Sequence, residues 1–252
     1  MKTAVVTGAS SGLGTEFVKA IVKDRGEIEK IVVIARRADR LEKLKATYGD
    51  IIFPLPLDLT DGDFAETLER TLKEENFEVR LLINNAGFGK LGNFEDISVN
   101  DNAMMVRLNC EALGTVTGVC LPFMKEGAAI INTCSIASFA PNTRMATYSS
   151  TKAYVMSLSR ALRSELKPRK INVLACCPGP MNTEFLPIAN IEKGTSHTFD
   201  TLPRVNVAEM AKKSLAASKK GKAVYTNKIF FKFYRIVAKI LPTSLVMKMA
   251  KT

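Results

Sequence analysis

Seven short runs rich in β-branched residues recur along the chain with longer amphipathic stretches between them, and that alternation admits few architectures. The runs fall at residues 3–7, 30–35, 51–54, 81–84, 129–134, 170–176 and 223–225. Residues 12–23, 37–48, 61–76, 100–125, 146–166 and 206–218 carry apolar positions at helical spacing. Strands separated by helices need crossovers, so about seven parallel strands are expected in one open α/β sheet with helices on both faces. A chain of 252 residues with 46% hydrophobic content can bury one large core, and residues 1–252 are read as a single domain. Residues 178–203 break the rhythm with scattered Gly, Pro, Thr and Asn. A long irregular connection beyond a strand's carboxyl end lies where such sheets bind ligands, and the two readings of it are a substrate lid and an ordered surface loop.

The first run leads directly into Gly8-Ala9-Ser10-Ser11-Gly12-Leu13-Gly14 and a helix. Glycines allow a sharp turn and close backbone approach to a pyrophosphate, and a helix N-terminus supplies N–H donors and a favourable dipole. The spacing is G-x-x-x-G-x-G, and its weight comes from its position after the first strand of a Rossmann-like, doubly wound fold. The second run ends in Ile34-Ala35-Arg36-Arg37, where an NAD site carries a carboxylate for the ribose 2′-hydroxyl. Arg36, with Arg37 and with Ser10 or Ser11, suits a 2′-phosphate through charge-assisted bonds, so the expected cofactor is NADP(H). The alternative is that the arginines only open the next helix.

Tyr148 and Lys152 stand four apart, on one face of a helix. An adjacent ammonium favours a phenolate and is expected to bring Tyr148 closer to neutral pH, making it a usable general acid or base. Ser135 ends the fifth run, where its hydroxyl can hydrogen-bond a substrate oxygen as charge develops. With Thr7 to Gly14, Asn84-Asn85-Ala86-Gly87, Asn109, and Pro178-Gly179 followed by Thr183, these residues resemble the ordered motifs of the short-chain dehydrogenase/reductase family, over roughly residues 1–185. The resemblance implies that Gly8, Gly12 and Gly14 line the pyrophosphate, that Asp58 and Leu59 meet adenine, and that Asn85, Ala86 and Gly87 support the cofactor. It implies further that Lys152 bonds the nicotinamide ribose, that Asn109 distorts its helix to hold a water in a proton relay, and that Pro178, Gly179, Met181 and Thr183 hold the carboxamide end. The implied reaction is hydride transfer between nicotinamide and a carbonyl or alcohol substrate, as in a carbonyl reductase, with a homo-oligomer, dimer or tetramer, as the implied assembly. Apolar substrate contacts are expected from residues 178–203 and from residues near Phe139 and Phe185.

Lys and Arg outnumber Asp and Glu by 11, and residues 204–252 hold the whole excess, twelve Lys/Arg against one Glu. In this basic C-terminal extension, residues 228–241 place Lys228, Lys232, Arg235 and Lys239 in one stripe opposite a wide apolar face. Three uses stay open: a cover for the domain or a partner subunit, a peripheral helix on an anionic membrane with Lys248 and Lys251 adding attraction, and a wall of the substrate pocket. The five cysteines lack metal-ligand spacing, so no metal is expected, and they read as reduced, buried thiols. The lone His197 suits no histidine-dependent hydrolase, and no zinc spacing, RNP-like strand or helix-turn-helix pattern supports nucleic acid as a partner. With no leader-like apolar segment at residues 1–7, the expected location is cytoplasmic, with possible peripheral contact at a membrane. The competing function classes are a non-catalytic dinucleotide sensor, which has no need of a proton donor and relay, and a membrane-surface protein.

Overall fold

Along β1 (Lys2–Thr7) the side chains alternate between two cores, Ala4 and Val6 on one face and Val5 on the other. The same alternation divides Ile31 and Val33 from Val32 and Ile34 in β2 (Lys30–Ala35). Burial on both faces is what parallel strands covered by helices require. The computed structural model describes residues 1–24 and 26–249; Lys251, counted above with the basic tail, lies outside the described residues.

The remaining strands are β3 (Ile52–Pro56), β4 (Glu78–Asn84), β5 (Ala129–Thr133), β6 (Asn172–Cys176) and β7 (Val224–Tyr225). They form one parallel sheet in the order β3-β2-β1-β4-β5-β6-β7, as the alternation requires. The helices are α1 (Gly12–Lys23), α2 (Ala38–Tyr48), α3 (Phe64–Glu74), α4 (Val99–Val106), α5 (Ala112–Cys120), α6 (Ala146–Glu165), α7 (Phe185–Ile188), α8 (His197–Thr201), α9 (Val207–Lys219), α10 (Ile229–Ile240) and α11 (Thr243–Met249). Apolar residues of α1, α2 and α9 cover one face of the sheet, and those of α3, α5 and α6 cover the other.

Three stretches differ from the sequence reading. The helix spaced over 100–125 is divided by a π-helical segment, Arg107–Glu111, with Asn109 at its centre, the distortion that the resemblance implied there, and its regular α-helix ends at Cys120. The irregular stretch 178–203 contains the two short helices α7 and α8. After Pro242 the tail resumes as α11.

Because β1 lies between β2 and β4, the sheet changes its direction of growth there, and a crevice opens beyond the carboxyl ends of those strands. The Gly8–Gly14 turn leaves β1 at this point. Gly8 has φ +64°, a left-handed conformation that glycine adopts without strain. A Cβ on Gly14 would lie 2.1 Å from the Gly8 carbonyl oxygen, so the turn closes only with hydrogen at that position. Gly118 is the counter-case, exposed on α5 with nothing within 4 Å of an added Cβ. In urea unfolding, Gly14→Ala is expected to destabilise the protein by about 1–3 kcal/mol through forced backbone movement. Gly118→Ala is expected to stabilise it by about 0.5–1 kcal/mol through helix propensity; equal effects at the two positions would contradict this account of the turn.

Candidate active site

The crevice deepens into a cavity of about 710 Å³, within the range of small-molecule sites. Its lining includes every catalytic or cofactor-binding candidate named from the sequence except Gly14 and Asn109. Gly14 lies behind the turn it allows to close. Asn109, 1% exposed, also acts from behind the wall.

At one end the backbone is prepared for an anion. Ser11 is the N-cap of α1 but its side chain makes no capping hydrogen bond, so no side chain of the cap occupies the first-turn N–H groups. Ser10 and Arg37 are joined there, with Arg37 Nη2 donating to Ser10 Oγ at 3.0 Å. Arg37 also pairs with Glu184 at 2.8 Å, and Arg40 bonds the same carboxylate. The Arg40 and Arg37 guanidiniums hold the Glu184 carboxyl well below the usual range, at about 2. Arg36 is the more open cation: its side chain is 73% exposed and stands 3.6 Å from Asp58. Asp58 accepts hydrogen bonds from Thr60 N and Oγ1 at 2.9 and 2.7 Å, just past β3.

At the other end, α6 carries Tyr148 and Lys152 inward from its first two turns, and β5 runs out at Thr133, two residues before Ser135. Tyr148, Lys152 and Ser135 are all buried. Among the described residues, the Lys152 ammonium donates one hydrogen bond, to the Thr133 carbonyl at 2.8 Å, which leaves two N–H groups for a ligand. Asn109 makes no direct side-chain hydrogen bond to Lys152. Its Oδ1 accepts from Phe88 N at 3.0 Å, and its Nδ2 donates to Phe88 O at 2.8 Å and Thr151 Oγ1 at 3.0 Å. The π-segment thus fastens the loop after β4 to α6.

Lys152 does not lower the Tyr148 phenol as the four-residue spacing predicts. Burial pushes Tyr148 up to about 12, against a smaller opposing effect of Ser135. The Lys152 nitrogen lies 5.7 Å from the Tyr148 ring centroid and bonds Thr133 instead, and burial pushes its own value down. Burial therefore favours the protonated phenol in the ligand-free site.

The apolar part of the cavity includes Phe185, whose ring lies 5.5 Å from that of Tyr148. Phe139 does not line it; that ring stands behind Tyr234 of α10, 5.9 Å away. Sequence reasoning missed Tyr234, Thr133, Arg40 and Glu184. Tyr234 belongs to the basic-tail helix, whose inward face only packing defines, and Thr133 acts through its carbonyl, for which no residue type is diagnostic. Glu184 directly follows the Thr183 motif position, and an acid there opposite two arginine-bearing turns was the available signal. Burial raises the Cys120 and Cys176 thiols to about 12, which makes both inert, and all five cysteines are free thiols.

The short chain dehydrogenase family model matches residues 2–193, and the chain belongs to that family. Similar relatives include a probable NADP-dependent dehydrogenase of Haemophilus influenzae, 35% identical over 187 residues and 73% of each chain. A serine 3-dehydrogenase of Agrobacterium fabrum is 32% identical over 186 residues, again 73% of each chain. Among solved structures, a short-chain dehydrogenase from Sphingobium yanoikuyae in complex with NADPH superposes with a TM-score of 0.78 at 27% identity, covering 97% of this chain and 98% of that one.

The Tyr148 value has a direct test. A folded-state pKa raised above the ordinary value favours the fold below about pH 10, and that contribution is lost as pH rises through the folded value. Ultraviolet difference titration of the ligand-free protein against Tyr148→Phe is expected to show no Tyr148 phenolate between about pH 7 and 10. Phenolate absorbance lost in the variant below about pH 9 would contradict the burial argument.

Proposed function

We propose that this chain is an NADP(H)-dependent carbonyl reductase or alcohol dehydrogenase of its family, acting on an apolar ketone or aldehyde or the corresponding alcohol. The observation that carries the reading is the burial of Ser135, Tyr148 and Lys152 together in one cavity whose far end holds the α1 N-terminus, Ser10, Arg36 and Arg37. The donor set fits the dinucleotide: helix-terminal N–H groups for a pyrophosphate, guanidiniums for a 2′-phosphate, and a lysine with N–H groups to spare for a ribose. Asp58 and Leu59 line the side where adenine would lie. Asn85, Ala86 and Gly87 would support the middle of the cofactor, and Pro178, Gly179, Met181 and Thr183 the carboxamide end.

A nicotinamide bound here supplies or accepts the hydride. Ser135 Oγ and Tyr148 Oη hold the substrate oxygen where negative charge develops. Tyr148 donates its proton to that oxygen in reduction and removes it in oxidation. Lys152 fixes the ribose side and keeps a positive charge beside the phenol when it ionises, while Asn109 positions α6 through Thr151. Phe185 shields the phenol and presents an apolar surface to the substrate.

Two variants separate the parts of this proposal. Arg36→Ala is expected to weaken NADPH binding by about ten- to a hundred-fold, followed by nicotinamide fluorescence, and to leave NADH nearly unchanged. Tyr148→Phe is expected to lower kcat for carbonyl reduction by about a hundred- to ten-thousand-fold with cofactor binding retained. Equal NADH and NADPH affinities that Arg36→Ala leaves untouched would overturn the cofactor assignment, and turnover undiminished in Tyr148→Phe would overturn the mechanism.

A further inference from the structure

Helix α10 has more apolar surface than the domain can cover. Phe231 is fully buried against the Gly179 turn, where a Cβ on Gly179 would come within 2.2 Å of its ring, and Tyr234 turns inward beside it to line the cavity. Positions four, three and four apart on a helix fall in one line. On the outward line stand Ile229, Phe233, Ile236 and Ile240, exposed by 84, 65, 56 and 73%. The neighbouring line, one residue earlier at each step, is Lys228, Lys232, Arg235 and Lys239. Leu245 of α11 adds a further exposed apolar side chain. A continuous apolar strip of this kind marks an interaction surface.

Charge decides which surface it meets. From residue 210 to 252 the chain contains no Asp or Glu. A second copy docked through the same face would set its Lys/Arg line near an identical one, with no carboxylate on either α10 or α11 to compensate. An anionic bilayer supplies both things the face lacks, hydrocarbon for Ile229, Phe233, Ile236 and Ile240 and phosphate for the lysines beside them. Among the described residues no helix is long and apolar enough to cross a membrane, so the geometry is that of a helix lying in the interface plane.

We propose that α10 docks the protein on anionic lipid bilayers, its Ile229–Phe233–Ile236–Ile240 line seated among acyl chains and its lysine line among headgroups. Phe230, 53% exposed, also lines the cavity, so the docked face adjoins the cavity wall. On the reading of that cavity as the substrate site, an apolar substrate reaches Tyr148 from the bilayer rather than from water.

Flotation of the full chain with vesicles tests the docking without any turnover, so its failure is distinct from failure of the catalytic reading. The protein is expected to float with phosphatidylcholine vesicles containing phosphatidylglycerol and to remain behind with phosphatidylcholine alone. The exposed pair Phe233→Ser with Ile236→Ser is expected to abolish flotation while circular dichroism and thermal melting stay as in the wild type, and Lys232→Glu with Lys239→Glu to abolish it as well. Absence of flotation with the anionic vesicles overturns the proposal, as does flotation that survives the serine pair. Sedimentation of the wild type as a dimer that the serine pair dissociates, without flotation, assigns the face to a second copy and overturns it equally.

Discussion

Lys152 carries a positive charge into the interior with 5% of its surface exposed, and no carboxylate among the described residues forms an ion pair with it. Removing an ammonium from water costs several kcal/mol, and one carbonyl at 2.8 Å offsets only part of that. Burial accordingly lowers its pKa. The elements around it bear on this cost: β5 ends so that the Thr133 carbonyl accepts from the ammonium, and α6 starts at Ala146, directly after a stretch from 129 to 145 that holds no Asp or Glu. A group so placed lowers stability in the empty protein and acquires value when acceptors arrive with a ligand.

The two ends of the cavity are mechanically connected through short contacts. The Gly8–Gly14 turn forms one end of the cavity, and the Asn85 side chain donates from the loop after β4 to the Thr7 and Gly8 carbonyls at 3.2 and 3.3 Å. That same loop is held three residues later by Asn109, through both backbone groups of Phe88. Glu184 ties the start of the 178–203 stretch to Arg37 and Arg40, and the next residue, Phe185, lies on Tyr148. Ion pairs this exposed contribute about 0–1 kcal/mol each, so they orient the segment more than they stabilise it. A 2′-phosphate competing for Arg37 would act on the same segment that shields the phenol.

Periodicity made the sheet legible. Strands buried on both faces must be apolar, and each of the seven runs became a strand. Their ends were less legible for specific reasons. Pro54 and Pro56 hide the length of β3, which tolerates them because it is an edge strand with one hydrogen-bonding partner. Glu78 and Arg80 disguise the start of β4, although they pair with each other at 3.6 Å at the sheet's end. The π-segment at Asn109 adds one residue to a turn, a change that apolar spacing does not register. Gly8, Gly12, Arg36, Arg37, Ser135, Tyr148 and Lys152, which the motifs single out, line the cavity, whereas Arg40, Glu184 and Tyr234 belong to no motif and were missed. The direction of the Tyr148 shift was not legible, because it depends on how completely packing removes water, and neither was the outward face of α10, because spacing alone does not say which apolar line finds a partner.

Under the proposed function, the buried charge at Lys152 serves a ligand and not the fold. Lys152→Met preserves length and apolar contact while removing the charge, so urea unfolding and NADPH-dependent turnover measured on that one variant separate the two roles. The ligand-free variant is expected to be at least as stable as the wild type, with turnover reduced by about a hundred-fold or more. A variant that is clearly less stable yet turns over at the wild-type rate would contradict that role for Lys152.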